Sequence, residues 1–197
     1  AAVGPAVLLD DVTVLSYERG APEHGRAVLV VDGRIHAVGA AGSLAAEADA
    51  RGATRVPGCG RWLVPGLADM HVHLRRADLP AYTAAGVTSV RNLWGFPDLL
   101  AMRDEIEAGE LAGPTIHVIS SGLDGPPEKW PYTQFVLNEA DAARVVAEQA
   151  ALGYRTLKLY SDLSRPAFNA VVAEARQRGL AYGGHVPQRV GLGHALA

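Results

Sequence analysis

The chain has almost no cysteine, no excess of basic charge and no long hydrophobic run. Among its 197 residues Cys59 is the only cysteine, so an intramolecular disulfide framework is excluded, and a lone thiol between glycines reads as a small loop residue rather than a ligand or nucleophile. It carries 18 basic and 21 acidic residues, a formal net charge of −3. These are spread along the chain, leaving no basic stripe to follow a phosphate backbone and no polybasic arm; neither nucleic acid nor a membrane surface is expected as a partner. Apolar stretches are short and interrupted by charge, so no membrane span is expected, and Ala1-Ala2-Val3 has neither the basic nor the apolar region of a leader. An initiating methionine is also absent. Both a removed leader and a simple boundary fit that, so the compartment stays open between cytoplasmic and secreted or periplasmic.

What is present is a soluble, globular composition: 49% of residues are hydrophobic, enough for one good core or one and a part. Residues 1–64 read as a small β-domain, with short strands at 7–9, 12–15, 27–31, 34–39 and 61–64. Asp32-Gly33 lies between two of them as a two-residue hairpin turn, because both residues tolerate positive φ. The alanine-rich stretch 41–53 reads as a short helix or loop, and Pro57-Gly58-Cys59-Gly60 punctuates the return to a strand.

From residue 65 to 197 the grammar changes to alternating strand and helix. Apolar or β-branched runs occur at 67–73, 87–93, 115–120, 154–160 and 180–185. A helix over 139–152 starts from Asn138 as N-cap and stops at Gly153; one over 166–178 starts from Ser164 and stops at Gly179. Such alternation means parallel strands joined by crossover helices, either an eight-stranded β/α barrel or a doubly wound sheet. The barrel is favoured by where the chemistry falls, at the C-terminal ends of strands.

That chemistry begins in Val64-Pro65-Gly66-Leu67-Ala68-Asp69-Met70-His71-Val72-His73. Alternation along a strand puts Asp69, His71 and His73 on one side. Two neutral imidazoles on one face make a poor core but suit a divalent cation such as zinc. An isolated His-x-His more often meets backbone carbonyls, so the flanking residues decide. With its Pro-Gly and aspartate, the segment resembles the first barrel strand of the metal-dependent amidohydrolase superfamily, in its prolidase and imidazolonepropionase-like branch, and the resemblance runs from about residue 7 to the C-terminus.

The resemblance implies a fold and a site. The fold would be α/β, a partial (β/α)8 TIM-like barrel of about the first five strands, preceded by a small β-sandwich domain. Lys158 lies between leucines near the end of the fourth strand, which turns Lys158 and Tyr160 inward. A lone interior cation needs an explanation: an ion pair with Asp162 is one, and a lysine whose neutral amine captures carbon dioxide, giving a carbamate ligand as in the resembled family, is the other. His185, after Gly183-Gly184 at the end of the fifth strand, would bind the second metal. The metal set is thus His71, His73, Lys158 and His185, with two zinc ions and carbon dioxide as cofactors. Asp69 would orient a ligand imidazole, while Tyr160, Arg75 and Trp130 are candidates for holding the substrate. His24 and His36 read as exposed, His117 as buried mid-strand, and His194 as part of the following helix.

The expected reaction is hydrolysis of amide or peptide-like C–N bonds, Xaa-Pro dipeptidase-like or imidazolonepropionase-like, by a metal-activated hydroxide on a small amide or dipeptide-like substrate. The family pattern also needs a histidine ending strand six and a catalytic aspartate ending strand eight, neither of which falls within these residues. The chain therefore reads as the N-terminal half of an enzyme roughly twice this length, given the ~250 residues of a full barrel. It would be incomplete alone and finished by a C-terminal half or a second chain. The competing reading is a non-catalytic fragment or pseudoenzyme that acts only through assembly.

Overall fold

A computed structural model describes residues 5–15 and 20–197; the first residues, read above for a leader, lie outside that set. The chain forms two compact units, Ala1–Pro65 and Gly66–Ala197.

The first unit is built on one mixed sheet. Strands β1 (Ala6–Val14), β2 (Glu23–Val31) and β3 (Arg34–Ala40) pair antiparallel in sequence. Asp32 and Gly33, with φ of 51° and 71°, make the tight turn between the last two. After helix α1 (Ala45–Ala50), strands β4 (Thr54–Pro57) and β5 (Trp62–Leu63) return parallel to β1. Where the sequence predicts two strands at 7–9 and 12–15, one continuous strand with a register shift between Leu9 and Val12 is found. Asp11 takes a positive φ of 56° there, so the two halves join through a bulge. Strand β4 was not expected, because all four of its residues are exposed and give no alternating pattern. Ala48 of α1 packs on Leu8, Ala27 and Leu29. The described residues of this unit hold one sheet backed by one helix.

The second unit alternates strand and helix: β6 (Leu67–Val72), α2 (Leu79–Ala84), β7 (Val87–Asn92), α3 (Asp98–Glu107), β8 (Thr115–Val118), β9 (Gly122–Asp124), β10 (Gln134–Phe135), α4 (Glu139–Ala151), β11 (Thr156–Leu159), α5 (Arg165–Gln177), β12 (Ala181–Gly184) and α6 (Leu192–Ala195). All its pairings are parallel, in a three-stranded sheet β6-β7-β8 and a four-stranded sheet β10-β9-β11-β12. The third strand, predicted at 115–120, ends as β8 at Val118, and the unpredicted β9 follows it. The intervening Ser120 N–H bonds to Thr156 O at 2.9 Å, so this one run of chain touches both sheets.

The helix boundaries follow the capping signals. Asn138 Oδ1 accepts from Asp141 N at 2.9 Å, and Ser164 Oγ from Ala167 N at 3.3 Å. Gly153 and Gly179, at φ of 100° and 65°, end the turns that follow. Alternate strand residues are buried against the helices: Val72, Val90 and Ile116 with Leu99 and Met102 in one cluster, Leu123, Leu157 and Leu159 with Val145, Phe168 and Val171 in another. The residues between them face the opposite side, which is where the site lies. Among the described residues the result is a mixed α/β fold with three sheets. No helix among the described residues is long and apolar enough to cross a membrane.

Candidate active site

On β6 and just beyond it, Val72 and Leu74 are buried in the helix-facing core while His71 and His73 are exposed on the other face. Their rings lie 5.6 Å apart and nearly parallel, at 24°. The strand end is held from β7. Asn92, fully buried, accepts the Leu74 N–H on Oδ1 and donates from Nδ2 to Trp94 O, both at 2.7 Å. Asp69 is exposed, and its Oδ1 accepts the backbone N–H of His71 at 3.1 Å. It thus fixes backbone, where the sequence had it orienting an imidazole.

Lys158 sits between Leu157 and Leu159 and is itself only 2% exposed. Its backbone N–H donates to Ser120 Oγ at 2.9 Å, and its Nζ stands 5.9 Å from the centre of the Tyr160 ring. Among the described residues no carboxylate pairs with it. Asp162, the partner that a purely structural lysine would have used, is instead paired with Lys129. Burial first, and then the nearby Arg91 charge, hold the Lys158 ammonium below its ordinary pKa.

His185 follows β12. Its N–H donates to Leu159 O at 3.0 Å, its Nδ1 shares a hydrogen bond of 3.2 Å with Ser161 Oγ, and its ring lies 4.3 Å from that of Tyr160. The preceding Gly184 has φ 135°, and a Cβ there would overlap the backbone oxygen of Leu159. Glycine is what lets β12 approach β11 this closely. Burial pushes the pKa values of His73 and His185 down, with smaller contributions from His71 and Lys158 in each case.

His71, His73, Lys158 and His185 all line one cavity of about 420 Å³. Tyr160 and Trp130 line it too, but Arg75 does not: its exposed guanidinium is bound by Asp78 at 2.9 and 3.0 Å. The sequence reading missed Trp94, Phe96 and Tyr132, which also line the cavity. The available signal was position, since Trp94-Gly95-Phe96 directly follows the C-terminal end of a parallel strand. His117, read as buried, is exposed. It opposes Arg91 across β7 and β8, and both face the inner side, away from buried Ile116 and Val90, where they line a second hollow of about 490 Å³.

Among the described residues no three histidine, cysteine, aspartate or glutamate side chains are placed to hold a metal ion by themselves. The fourth member of the group is a lysine, which ligates only once it carries an anionic oxygen. The donor chemistry fits a metal nonetheless: partial desolvation favours the neutral, lone-pair-bearing rings of His73 and His185, and burial without a counter-charge lowers the pKa of the Lys158 amine.

No protein-family model matches the chain. A stretch of 43 residues, 22% of the chain, is 56% identical to imidazolonepropionase from Stenotrophomonas maltophilia, covering 10% of that protein. A putative prolidase from Bifidobacterium longum superposes with a TM-score of 0.80 at 22% identity, over 95% of this chain and 51% of the other. A bottromycin amidohydrolase superposes with a TM-score of 0.76 at 27% identity, over 94% of this chain and 40% of the other. The chain thus spans about half the length of these solved structures, or less.

Proposed function

Because the structural neighbours of this chain are prolidase, amidohydrolase and imidazolonepropionase-like proteins of the metal-dependent amidohydrolase superfamily, we propose that it forms the N-terminal part of a metal-dependent hydrolase of amide or peptide-like C–N bonds. In this reading β6, β7, the β8–β9 run, β11 and β12 are the first five staves of a (β/α)8 barrel, and residues 1–64 belong to a β-sandwich domain. One observation carries the proposal: His71, His73, Lys158 and His185, from the ends of three separate strands, line one cavity.

His71, His73 and His185 would hold two divalent ions, with zinc suited to a nitrogen-rich set, and Lys158 would add oxygen as a carbamate. When bound, such ions supply a Lewis acid for the substrate carbonyl and a nucleophile at neutral pH. The protein's own part is preparation. Partial desolvation in the cavity favours the neutral rings of His73 and His185, and the hydrogen bond with Ser161 orients the His185 ring. Lys158 Nζ, its pKa lowered by burial, would add in its neutral form to the carbon of carbon dioxide: the N–C bond forms and one N–H proton passes to water, leaving the anionic carbamate. Ser120 Oγ fixes the backbone from which that side chain extends.

The test is elemental analysis and hydrolysis by a polypeptide continued past residue 197 to the length of its neighbours, assayed on Xaa-Pro dipeptides and cyclic amides. Stoichiometric metal and turnover are expected, with residues 1–197 alone nearly inactive. Absence of metal would end the proposal in favour of a non-catalytic assembly role. The imidazolonepropionase-like variant is favoured by the 43-residue stretch at 56% identity, and faster turnover of a cyclic imidazolone than of any Xaa-Pro dipeptide would select it.

A further inference from the structure

Beside the imidazoles, the cavity wall is built of two groups of rings. Trp94 meets Tyr160 edge to face, with centroids 5.5 Å apart at 74°, and meets Trp130 at 6.5 Å and 63°. Phe96 lies 6.5 Å from Tyr132. The wall is fixed from behind. Trp94 is 8% exposed, and its ring lies against Gly122, where any Cβ would collide with it. Its Nε1–H donates to Pro131 O at 3.0 Å, which ties the loop carrying Trp130 and Tyr132 to the end of β7. These two outer rings are about half exposed, at 51% and 57%, although each is large and apolar. The arrangement has a rigid inner ring and two exposed outer ones over a shared hollow, a form suited to a flat apolar guest.

Charge narrows the guest further. Among the described residues the titratable side chains lining this cavity are His71, His73, Lys158, His185 and two tyrosines, without a carboxylate. Aromatic faces alone could also attract an organic cation. Here the two divalent ions proposed for the site outweigh the single negative charge of a carbamate on Lys158, so an organic cation would be repelled. An uncharged ring meets no such penalty. Size agrees, since a dry apolar hollow of about 150 Å³ holds one benzene, and about 420 Å³ leaves room for a ring together with a flanking amide.

We propose that this cavity takes a ligand with an uncharged aromatic ring flanking its amide, the ring held by Trp94, Trp130 and Tyr132 and the carbonyl lying toward His71, His73 and His185. The assignment of that amide as the scissile bond rests on the hydrolytic reading; the ring site does not. The rings therefore determine specificity, and the protein is an aryl-amide hydrolase rather than one selective for small aliphatic dipeptides.

Binding and turnover are measured separately on the polypeptide continued past residue 197. Tryptophan emission is titrated with N-benzoylglycinamide, with N-acetylglycinamide, which lacks the ring, and with benzyltrimethylammonium, which carries a ring and a charge. The benzoyl amide is expected to bind about tenfold or more tighter than the acetyl amide, the order of factor that burying one ring supports, and tighter than the cation. Trp130→Ala and Tyr132→Ala, both at exposed positions, should each erase most of that preference while leaving the circular dichroism unchanged. Equal binding of the two amides, stronger binding of the cation, or a preference that survives both substitutions would overturn the proposal. Ring preference without turnover of either amide would refute the hydrolytic reading and support the ring site; turnover indifferent to the ring would do the reverse.

Discussion

The carboxylate of Asp124, 1% exposed, accepts the backbone N–H of Asp162 at 2.6 Å and that of Gly125 at 2.9 Å on the same oxygen. It thereby ties the end of β9 to the loop after β11, the loop that also carries Ser161, the partner of His185. A Cβ on Gly125 would overlap the Asp162 carbonyl, so the two segments pass in direct backbone contact. Burial pushes the Asp124 pKa up, against the opposing effect of the two backbone hydrogen bonds. A carboxyl with a raised folded pKa costs the fold nothing below its ordinary value and costs fully above the folded one, so this group lowers stability as pH rises through that window. Asp124→Asn keeps the accepting oxygen and removes the charge. Its stability relative to wild type should therefore improve from acid to neutral pH in urea titrations, and parallel pH profiles would refute the argument. Asp124→Ala strands the buried Gly125 N–H and the half-buried Asp162 N–H and should cost about 1–3 kcal/mol.

Asn92 makes the same kind of link for the first strand. Replacing it with alanine leaves the Leu74 N–H and the Trp94 carbonyl without partners inside the core, at about 1–3 kcal/mol for each buried group. The expected loss is roughly 2–5 kcal/mol in denaturant unfolding. The same variant should loosen Trp94 and shift its emission, because one bond of Asn92 ends on Trp94, which lines the cavity, and the other on Leu74, next to the cavity-lining His73. A loss under about 0.5 kcal/mol, the range of ordinary surface substitutions, would show that these bonds are not holding the strand end.

These two side chains mark where the sequence stops being legible. His71 and His73 could be found because strand alternation is local, and Val72 and Leu74 take the opposite face as that period requires. The helices over Glu139–Ala151 and Arg165–Gln177 could be found because their caps lie within three residues of their first turns. Asn92 and Asp124 carry no such pattern, since their partners lie 18 and 38 residues away and only the parallel pairing brings them together. Trp94 was missed for the same reason: its wall is completed by Trp130 and Tyr160, from other parts of the chain. Arg75 failed in the opposite sense. A local acidic residue, Asp78, satisfies it before any site could, and nothing in its strand-end position reveals that competition. The third strand read as running to Ser120, past the end of β8 at Val118, because Ile119 and Ser120 continue an apolar and small pattern, whereas their N–H groups go to Asn92 and Thr156 on neighbouring strands.

His73 and His185 give a pH prediction with a definite sign. Their folded pKa values lie below the ordinary imidazole value, since burial disfavours the charged ring. The unfolded chain then binds more protons than the folded one across that window, and stability must rise as pH rises through it. In metal-free solution the protein should gain stability from mildly acidic to neutral pH, and His185→Gln, which cannot protonate, should remove part of that slope. Thermal or urea unfolding across the window checks this, and a slope unchanged in the variant would rule out His185 as a contributor. Metal uptake should fall over the same acidic range, because protonated imidazoles cannot ligate.

Lys158 offers the sharpest discrimination between a structural and a functional residue. A buried amine with a lowered pKa costs the fold at every pH below its folded value, since the unfolded chain can hold the proton in water and the folded chain holds it poorly. Lys158→Met keeps the apolar stem beside Tyr160 and Gly184 while removing the charged head. The metal-free protein should then be as stable as wild type or more so, by about 1 kcal/mol or more, as when buried charge is replaced by a well-packed apolar group. A lysine retained for stability would give the opposite result, a loss in the same unfolding measurement. If the amine exists to carry a carbamate, the stabilised variant should also bind less metal and lose turnover, with elemental analysis and hydrolysis measured on the same preparation. Stability and metal content would then move in opposite directions, and a variant with wild-type metal occupancy would remove Lys158 from the site.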